Sequence, residues 1–196
     1  NKVHRFSHLV QIDISDGIFT PIKTWPYNGR NQHYFEQLRS QELTFPKRGD
    51  ITFEVHLMVK KPEEVVLEWI NIAASTIIAQ SEATADFQRV IDICREYNIG
   101  VGVAIKPSTE ISRIAPFASS VDFIQVMGND HLGRHGEILD PKAVEKIEIL
   151  RGLYPESIIA IDIGVNEDSA EDLISAGANK LISGGAILDA PNPETV

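Results

Sequence analysis

The chain has one cysteine, Cys94, so it cannot staple itself with an internal disulfide. It also lacks an apolar run long enough for a bilayer. The longest uncharged stretch, Trp69 to Ser81, falls well short of the roughly 20 residues that a spanning helix needs. Basic charge is scarce: 18 Lys+Arg stand against 28 Asp+Glu, a net of −10, and no local basic patch offsets it. Phosphate backbones and anionic membranes would repel such a surface, which argues against nucleic-acid and membrane partners. No basic-then-apolar leader opens the sequence, and neither glycine-rich nucleotide signature, GxGxxG or GxxxxGK, occurs in it. Cys94 falls inside a helical pattern and reads as an inert core thiol in a reducing compartment, so the expected location is the cytoplasm.

What the sequence does contain is 196 residues that are 43% hydrophobic and 23% charged, the composition of one ordinary globular domain. Short β-branched runs alternate with longer segments of 3.6-residue period. The runs are LVQIDI (9–14), ITFEVHLMV (51–59), STIIAQ (75–80), IGVGVAI (99–105), DFIQVM (122–127), SIIAIDI (157–163) and NKLISG (179–184). Between them lie HYFEQLRSQEL, PEEVVLEWINIA, ADFQRVIDICREY, EISRIAPFA, PKAVEKIEILRGLY and DSAEDLISAGA. Asp140 before Pro141 marks a helix start, and Gly177 marks a left-handed helix end. Seven strands separated by six helices imply parallel strands joined by right-handed crossovers, buried on both faces. The polar residues gather at the carboxyl ends of strands, which favours a (β/α)8 TIM barrel over an open doubly wound sheet. Residues 1–196 are expected to form this single domain. Two long loops, Gly17 to Gln32 and Met127 to Asp140, would sit at its mouth as lids or binding loops.

Strand parity puts Gln11, Asp13 and Ser15 on one face and His8, Ile12 and Ile14 on the other. Asp13 is then an inward carboxylate at a strand end, with Asp16-Gly17 as the turn. His56 lies at the end of the second strand in an apolar setting, and Asp162 at the end of the sixth. An aspartate in such a place either caps a turn or serves a site, and a histidine among apolar residues is either a satisfied core group or a ligand. Placement at three carboxyl ends favours a site without naming a reaction.

Several segments resemble the ribulose-phosphate 3-epimerase family. QIDISDGIFTP resembles H-x-D-x-M-D-G-x-F-x-P, and FEVHLMVKKPEE resembles H-L-M-V-x-x-P-E. VGVAIKPSTEI resembles V-G-L-A-x-N/K-P-x-T, IDIGV resembles V-D-G-G-I, and ISGGAIL resembles x-x-G-S-A-I. The matches are collinear and cover nearly the whole chain. The resemblance implies a barrel that inverts C3 of a phosphorylated ketopentose, interconverting D-ribulose 5-phosphate and D-xylulose 5-phosphate through a cis-enediolate. By position Asp13 and Asp162 would be the acid/base pair, and Asp13, His56 and Asp162 the ligands of a divalent metal. The family's fourth ligand is a histidine at the place of Gln11. An amide is a poorer zinc ligand than imidazole, so the metal would be weakened zinc, a harder ion such as manganese or magnesium, or absent. The family also forms homo-oligomers.

Other departures bear on the pocket. The methionine of M-D-G is Ser15 here, while Met58 and Met127 match by position. The histidine of an H-x-E segment is Gln80, within Gln80-Ser81-Glu82. GNDHLGRHGEI stands where the family has T-V-E-P-G-F-G-G-Q, whose amides grip phosphate. Gly133 and Gly136 could rebuild that cradle with Arg134 as a charged contact, or the loop with His131 and His135 is only solvated. Gly164, Gly184 and Gly185 fall where barrels bind phosphate through backbone amides, or they are tight turns. The rival readings are an epimerase for another sugar phosphate, such as a hexulose 6-phosphate, and a sugar-phosphate-binding barrel that has lost the metal. The first strand here aligns with the family's second, and the chain stops at PNPETV. The expectation is therefore that the first strand and helix and the last helix belong to a longer natural chain.

Overall fold

A computed structural model describes residues 7–44, 51–72, 74–134 and 136–192; His135 and the closing residues of PNPETV lie outside the described residues. The chain divides into two compact units, Asn1–Val101 and Gly102–Val196.

In the N-terminal unit β1 (Leu9–Ser15), α1 (Gln32–Arg39), β2 (Thr52–Met58), α2 (Val66–Ile72), β3 (Thr76–Gln80) and α3 (Phe87–Glu96) follow one another. β1 and β2 are parallel, with Asp13 opposite His56 and Ser15 opposite Met58, and β2 and β3 are parallel, with His56 opposite Ile78. β4 (Gly100–Ile105) runs across the division. The C-terminal unit continues with β5 (Phe123–Met127), α4 (Pro141–Leu153), β6 (Ile158–Asp162), α5 (Glu167–Ala176), β7 (Lys180–Ile182) and the short α6 (Gly185–Leu188). Its strands are parallel too, with Met127 opposite Asp162 and Asp162 opposite Ile182. Strand order follows chain order in each unit. The fold class is α/β, with the all-parallel strand–helix alternation of a TIM barrel, as the periodicity predicts.

All seven expected strands are present, and their burial explains their sequence. Val55, Leu57, Ile77, Ile78 and Ala79 in one unit, and Ile124, Val126, Ile159, Ala160 and Ile161 in the other, are almost wholly shut from solvent. Strands covered on both faces favour apolar side chains on both, which is why they read as near-continuous runs. Cys94 is buried in α3 as expected. The Asp140 side chain accepts from Lys142 N at the start of α4, and Gly177 ends α5 at φ 114°.

One expected helix does not form. EISRIAPFA is a 3-10 turn at Ile111–Arg113 followed by linked turns. Pro116 removes an amide donor and its ring clashes with the carbonyl four residues back, so a helix cannot run through it. PEEVVLEWINIA splits for a different reason: Lys61 is left-handed at φ 56°, Pro62–Glu64 makes a 3-10 turn, and α2 begins only at Val66. The four-residue α6 has no counterpart in the sequence reading. Among the described residues no helix is long and apolar enough to cross a membrane.

The Gly17–Gln32 loop is fixed from beneath by an aromatic cluster. Trp69 of α2 is 1% exposed and meets Trp25 of the loop edge-on at 6.1 Å and Phe35 of α1 at 5.4 Å. Trp25 and Phe35 also meet edge-on at 5.4 Å, so loop and two helices share one apolar contact. Truncating Trp69 to alanine should cost about 3–5 kcal/mol, read as a lower urea midpoint at unchanged slope.

Candidate active site

The N-terminal unit assembles four side chains, Gln11, Asp13, His56 and Gln80, from three neighbouring strands. Parity turns Gln11 and Asp13 to the same face of β1, where Gln11 Nε2 donates to Asp13 Oδ1 at 2.9 Å. Register places His56 beside Asp13, with its Nδ1 3.4 Å from the same carboxylate oxygen. Gln80 at the end of β3 puts its amide nitrogen 3.1 Å from the far ring nitrogen, His56 Nε2. His56 and Gln80 are both 0% exposed, whereas the Asp13 side chain is 46% exposed. A carboxylate open to a substrate thus sits against a wholly buried imidazole. The 3.4 Å between Nδ1 and Oδ1 is longer than a normal N–H···O bond. It matches the spacing of about 3.4 Å between two atoms bonded to one tetrahedral cation at about 2.1 Å each.

The loop after β1 is tied down at its root. Asp16 Oδ1 accepts from Ile18 N and Phe19 N at 2.8 and 2.9 Å, and its Oδ2 accepts from Lys60 N at 2.8 Å. Asp16 therefore holds the turn and the end of β2 together. Thr24 returns to the strand: its hydroxyl donates to Asp13 O and accepts from Ser15 N, while its amide donates to Ser15 O. These contacts fix the backbone on either side of the Asp13 side chain. Tyr27 in the same loop is held above its usual pKa, first by burial and then by Glu68 and Asp16, so the phenol stays protonated. Ser15 is 0% exposed, and its hydroxyl meets no partner among the described residues.

In the C-terminal unit Asp162 ends β6, and its Oδ1 accepts from Ile163 N at 2.9 Å. Ile163 has φ 79°, a left-handed conformation that is a genuine outlier for a β-branched residue, and Gly164 follows at φ 74°. The turn is braced on both sides. Gly128 N donates to Asp162 O at 2.6 Å, and a Cβ on Gly128 would collide with Ile163 O. A Cβ on Gly164 would overlap Leu139 at 2.8 Å. The glycines at 128 and 164 are thus required by close backbone approach, and Ile163 is held in strain where the V-D-G-G pattern has glycine. Beside this turn, Met127 is 1% exposed, and Gln125 lies under it with Nε2 3.7 Å from the sulfur. Met58, in the other unit, is equally buried at the end of β2.

The Met127–Asp140 loop braces itself. Asn129 donates to Ile138 O and accepts from His131 N, Asp130 accepts from Ser108 N, and Leu132 is buried. Gly133 and Gly136 supply left-handed turns at φ 80° and 76°. Arg134 and His131 both face Glu137, at 3.9 and 3.4 Å, so Arg134 is not a lone cation. Gly184 and Gly185 open α6. A Cβ on Gly184 would meet nothing within 4 Å and its φ is −105°, so neither packing nor turn geometry demands glycine there.

Sequence reasoning passed over Gln125, Gly128, Thr24 and the strain at Ile163. The shared parity of Gln125 with Met127 could have flagged the first. Nothing in an isoleucine announces a positive φ. A half-buried isoleucine loses less than the about 2–5 kcal/mol of a fully buried one when cut back, on the order of 1–2 kcal/mol. At 163, relief of about 1–2 kcal/mol of left-handed strain opposes that loss. Ile163→Gly should therefore stay within about 1 kcal/mol of the parent in chemical unfolding, and a much larger loss would show that the turn is not strained.

A family model described as the ribulose-phosphate 3 epimerase family matches residues 4–188. Curated relatives include "Ribulose-phosphate 3-epimerase" of Schizosaccharomyces pombe, 30% identical over 97% of this chain and 79% of that protein. The protein of the same name from Escherichia coli K12 is 26% identical over 96% and 80%. Among solved structures, a 3-hexulose-6-phosphate synthase superposes with a TM-score of 0.66 at 15% identity over 99% of this chain and 86% of that one. A mutant tryptophan synthase alpha-subunit of Pyrococcus furiosus gives 0.67 at 14% over 95% and 79%. At such identities these two establish the shared fold alone.

Proposed function

The chain belongs to the ribulose-phosphate 3-epimerase family, and we propose that it interconverts D-ribulose 5-phosphate and D-xylulose 5-phosphate by inverting C3. Inversion beside a carbonyl needs a base on one face of the carbon and an acid on the other. It also needs positive charge or hydrogen-bond donors at the oxygens of the planar enediolate between them. Asp13 and Asp162 are the carboxylates that the family pattern assigns to the two faces. Asp13 takes the C3 proton, the electrons of that C–H bond pass into the enediolate, and protonated Asp162 returns a proton to the opposite face. The reverse reaction exchanges the roles.

The observation that carries this reading is the setting of Asp13. Its carboxylate is open on one side and held on the other by Gln11 and the buried His56. That is an environment for a working carboxylate rather than for a turn cap, a task performed next door by Asp16. Gln11 supports the reaction by aiming Asp13, since its amide nitrogen is spent on that carboxylate.

By the family pattern Asp13, His56 and Asp162 would be the ligands of a divalent cation. The donor set of two carboxylates and one imidazole suits zinc, manganese or magnesium, and the Asp13–His56 spacing is that of a tetrahedral ion. Such an ion supplies charge neutralisation at the enediolate oxygens. The phosphate end is assigned to the amides near Gly164, Gly184 and Gly185, with Gly133, Arg134 and Gly136 closing over it. Met58 and Met127 are each assigned to substrate binding by their positions in the family pattern. The buried thiol of Cys94 is in keeping with a cytoplasmic enzyme, and assembly with further copies of the chain is carried over from the family.

Asp162→Asn should keep the fold, seen by circular dichroism, yet lower turnover by at least about 10²–10⁴. In deuterated water, followed by NMR, D-ribulose 5-phosphate should no longer yield D-xylulose 5-phosphate deuterated at C3, although Asp13 can still exchange the C3 proton of D-ribulose 5-phosphate. Retained epimerisation would overturn the assignment.

A further inference from the structure

Gln125 stands in the middle of β5 and is wholly buried. Its amide nitrogen donates to Met127 Sδ at 3.7 Å, and its amide oxygen meets no donor among the described residues. Turning the amide over would only worsen this, because the oxygen would face sulfur and the NH2 group would take the place without a partner. In either orientation one end of the amide is unpaired by the chain. An unpaired buried amide is costly, and such groups in folded proteins are met by an ordered water where no side chain serves.

The surroundings favour a water. Register sets Ala104 of β4 and Ala160 of β6 on either side of Gln125, and register partners in a parallel sheet point to one face. The side chain on each flank is thus a single methyl group. On the same face of β5, Phe123 lies below Gln125 with its ring against Gly102, and the buried Met127 lies above. A donor also enters this layer. Lys180 of β7 is opposite Ala160, and it reaches across that alanine to hold its ammonium 3.9 Å from the centroid of the Phe123 ring. An ammonium has three N–H donors, so a bond to water is compatible with its other contacts.

We propose that an ordered internal water occupies the space bounded by Gln125, Ala104 and Ala160, accepting from Lys180 Nζ and donating to Gln125 Oε1. Two polar partners and small walls are what a buried water needs. With its oxygen held by the water, the amide keeps its nitrogen on the Met127 sulfur. Gln125 is thereby a positioning residue for Met127. The link from Met127 to substrate rests on the function proposed above; the water site does not.

Cross-relaxation between water protons and the methyl groups of ¹³C-labelled alanine reads the site directly. In the wild-type chain the Ala104 and Ala160 methyls should show cross-peaks of the sign that marks a long-lived bound water. Their absence would overturn the proposal. Gln125→Leu removes the amide at similar volume and should abolish both cross-peaks while circular dichroism stays unchanged. Peaks that persist in this variant, as relay through the Lys180 ammonium alone would give, would also overturn it. The chain has two methionines, so the ¹³C signal of the Met127 methyl is readily resolved. In Gln125→Leu that signal should move toward the position of a freely rotating thioether, and KM for D-ribulose 5-phosphate should rise several-fold with kcat nearly unchanged. An unmoved Met127 signal together with an unchanged KM would overturn the positioning role. Should that variant fail to fold, the wild-type cross-peaks still decide the water, and Gln125→Met, unbranched and without an amide, repeats the comparison. A wild-type chain that shows the water but turns over neither ketose phosphate would support the water site and remove the proposed function.

Discussion

The cluster of Gln11, Asp13, His56 and Gln80 depends on the parallel register of β1 and β2, which sets Asp13 opposite His56. Side chains alternate along a strand, so a slip of one residue would turn Gln11, Asp13 and Ser15 outward and bring Ile12 and Ile14 to the carboxylate's place. The register is protected because the intervening residues are themselves core. Ile14, Val55 and Leu57 are almost wholly buried, so the slip that dismantles the site would also break up their apolar packing. Stability and chemistry are secured by the same alternation, and a polar residue can occupy one face only because the other is hydrophobic.

What the strands position, the turns after them hold still. Asp16 and Thr24 fasten the exit of β1 with side-chain hydrogen bonds to backbone, a modest stabilisation per bond that leaves Asp13 no backbone freedom. The exit of β6 uses a different device. There Gly128 packs so closely beneath Ile163 O that the turn cannot relax, and the isoleucine stays left-handed. Strain of this size persists only where surrounding contacts over-determine the backbone, and such sites cluster at functional positions. Two strand ends that must each fix an aspartate have reached that result by hydrogen bonding in one case and by steric confinement in the other.

The legible part of the molecule was the part governed by period and by residue type. Runs such as DFIQVM and SIIAIDI read as strands because both faces are buried, and the Asp140–Pro141 pair read as a helix start because capping chemistry is local. The failure at EISRIAPFA has a local cause as well: Pro116 outweighs a helical pattern around it. The carboxylates and His56 were legible as candidates from parity and strand ends. Their partners were not, because a hydrogen bond between Gln80 and His56 joins residues 24 positions apart through strand register. The turn at Ile163 was hidden for a further reason, since its conformation is imposed by a neighbour's missing side chain.

The two histidine-to-glutamine departures acquire a common meaning once their contacts are known. Gln11 donates to the carboxylate that flanks His56, and Gln80 touches the ring itself, so both amides serve the Asp13–His56 pair. An imidazole in either place could change charge near neutrality and alter the pair it supports. An amide cannot. It offers a donor and an acceptor at every pH, at the cost of being a weaker ligand for a soft or borderline cation. The replacements therefore shift the site from ligands that titrate toward supports that do not.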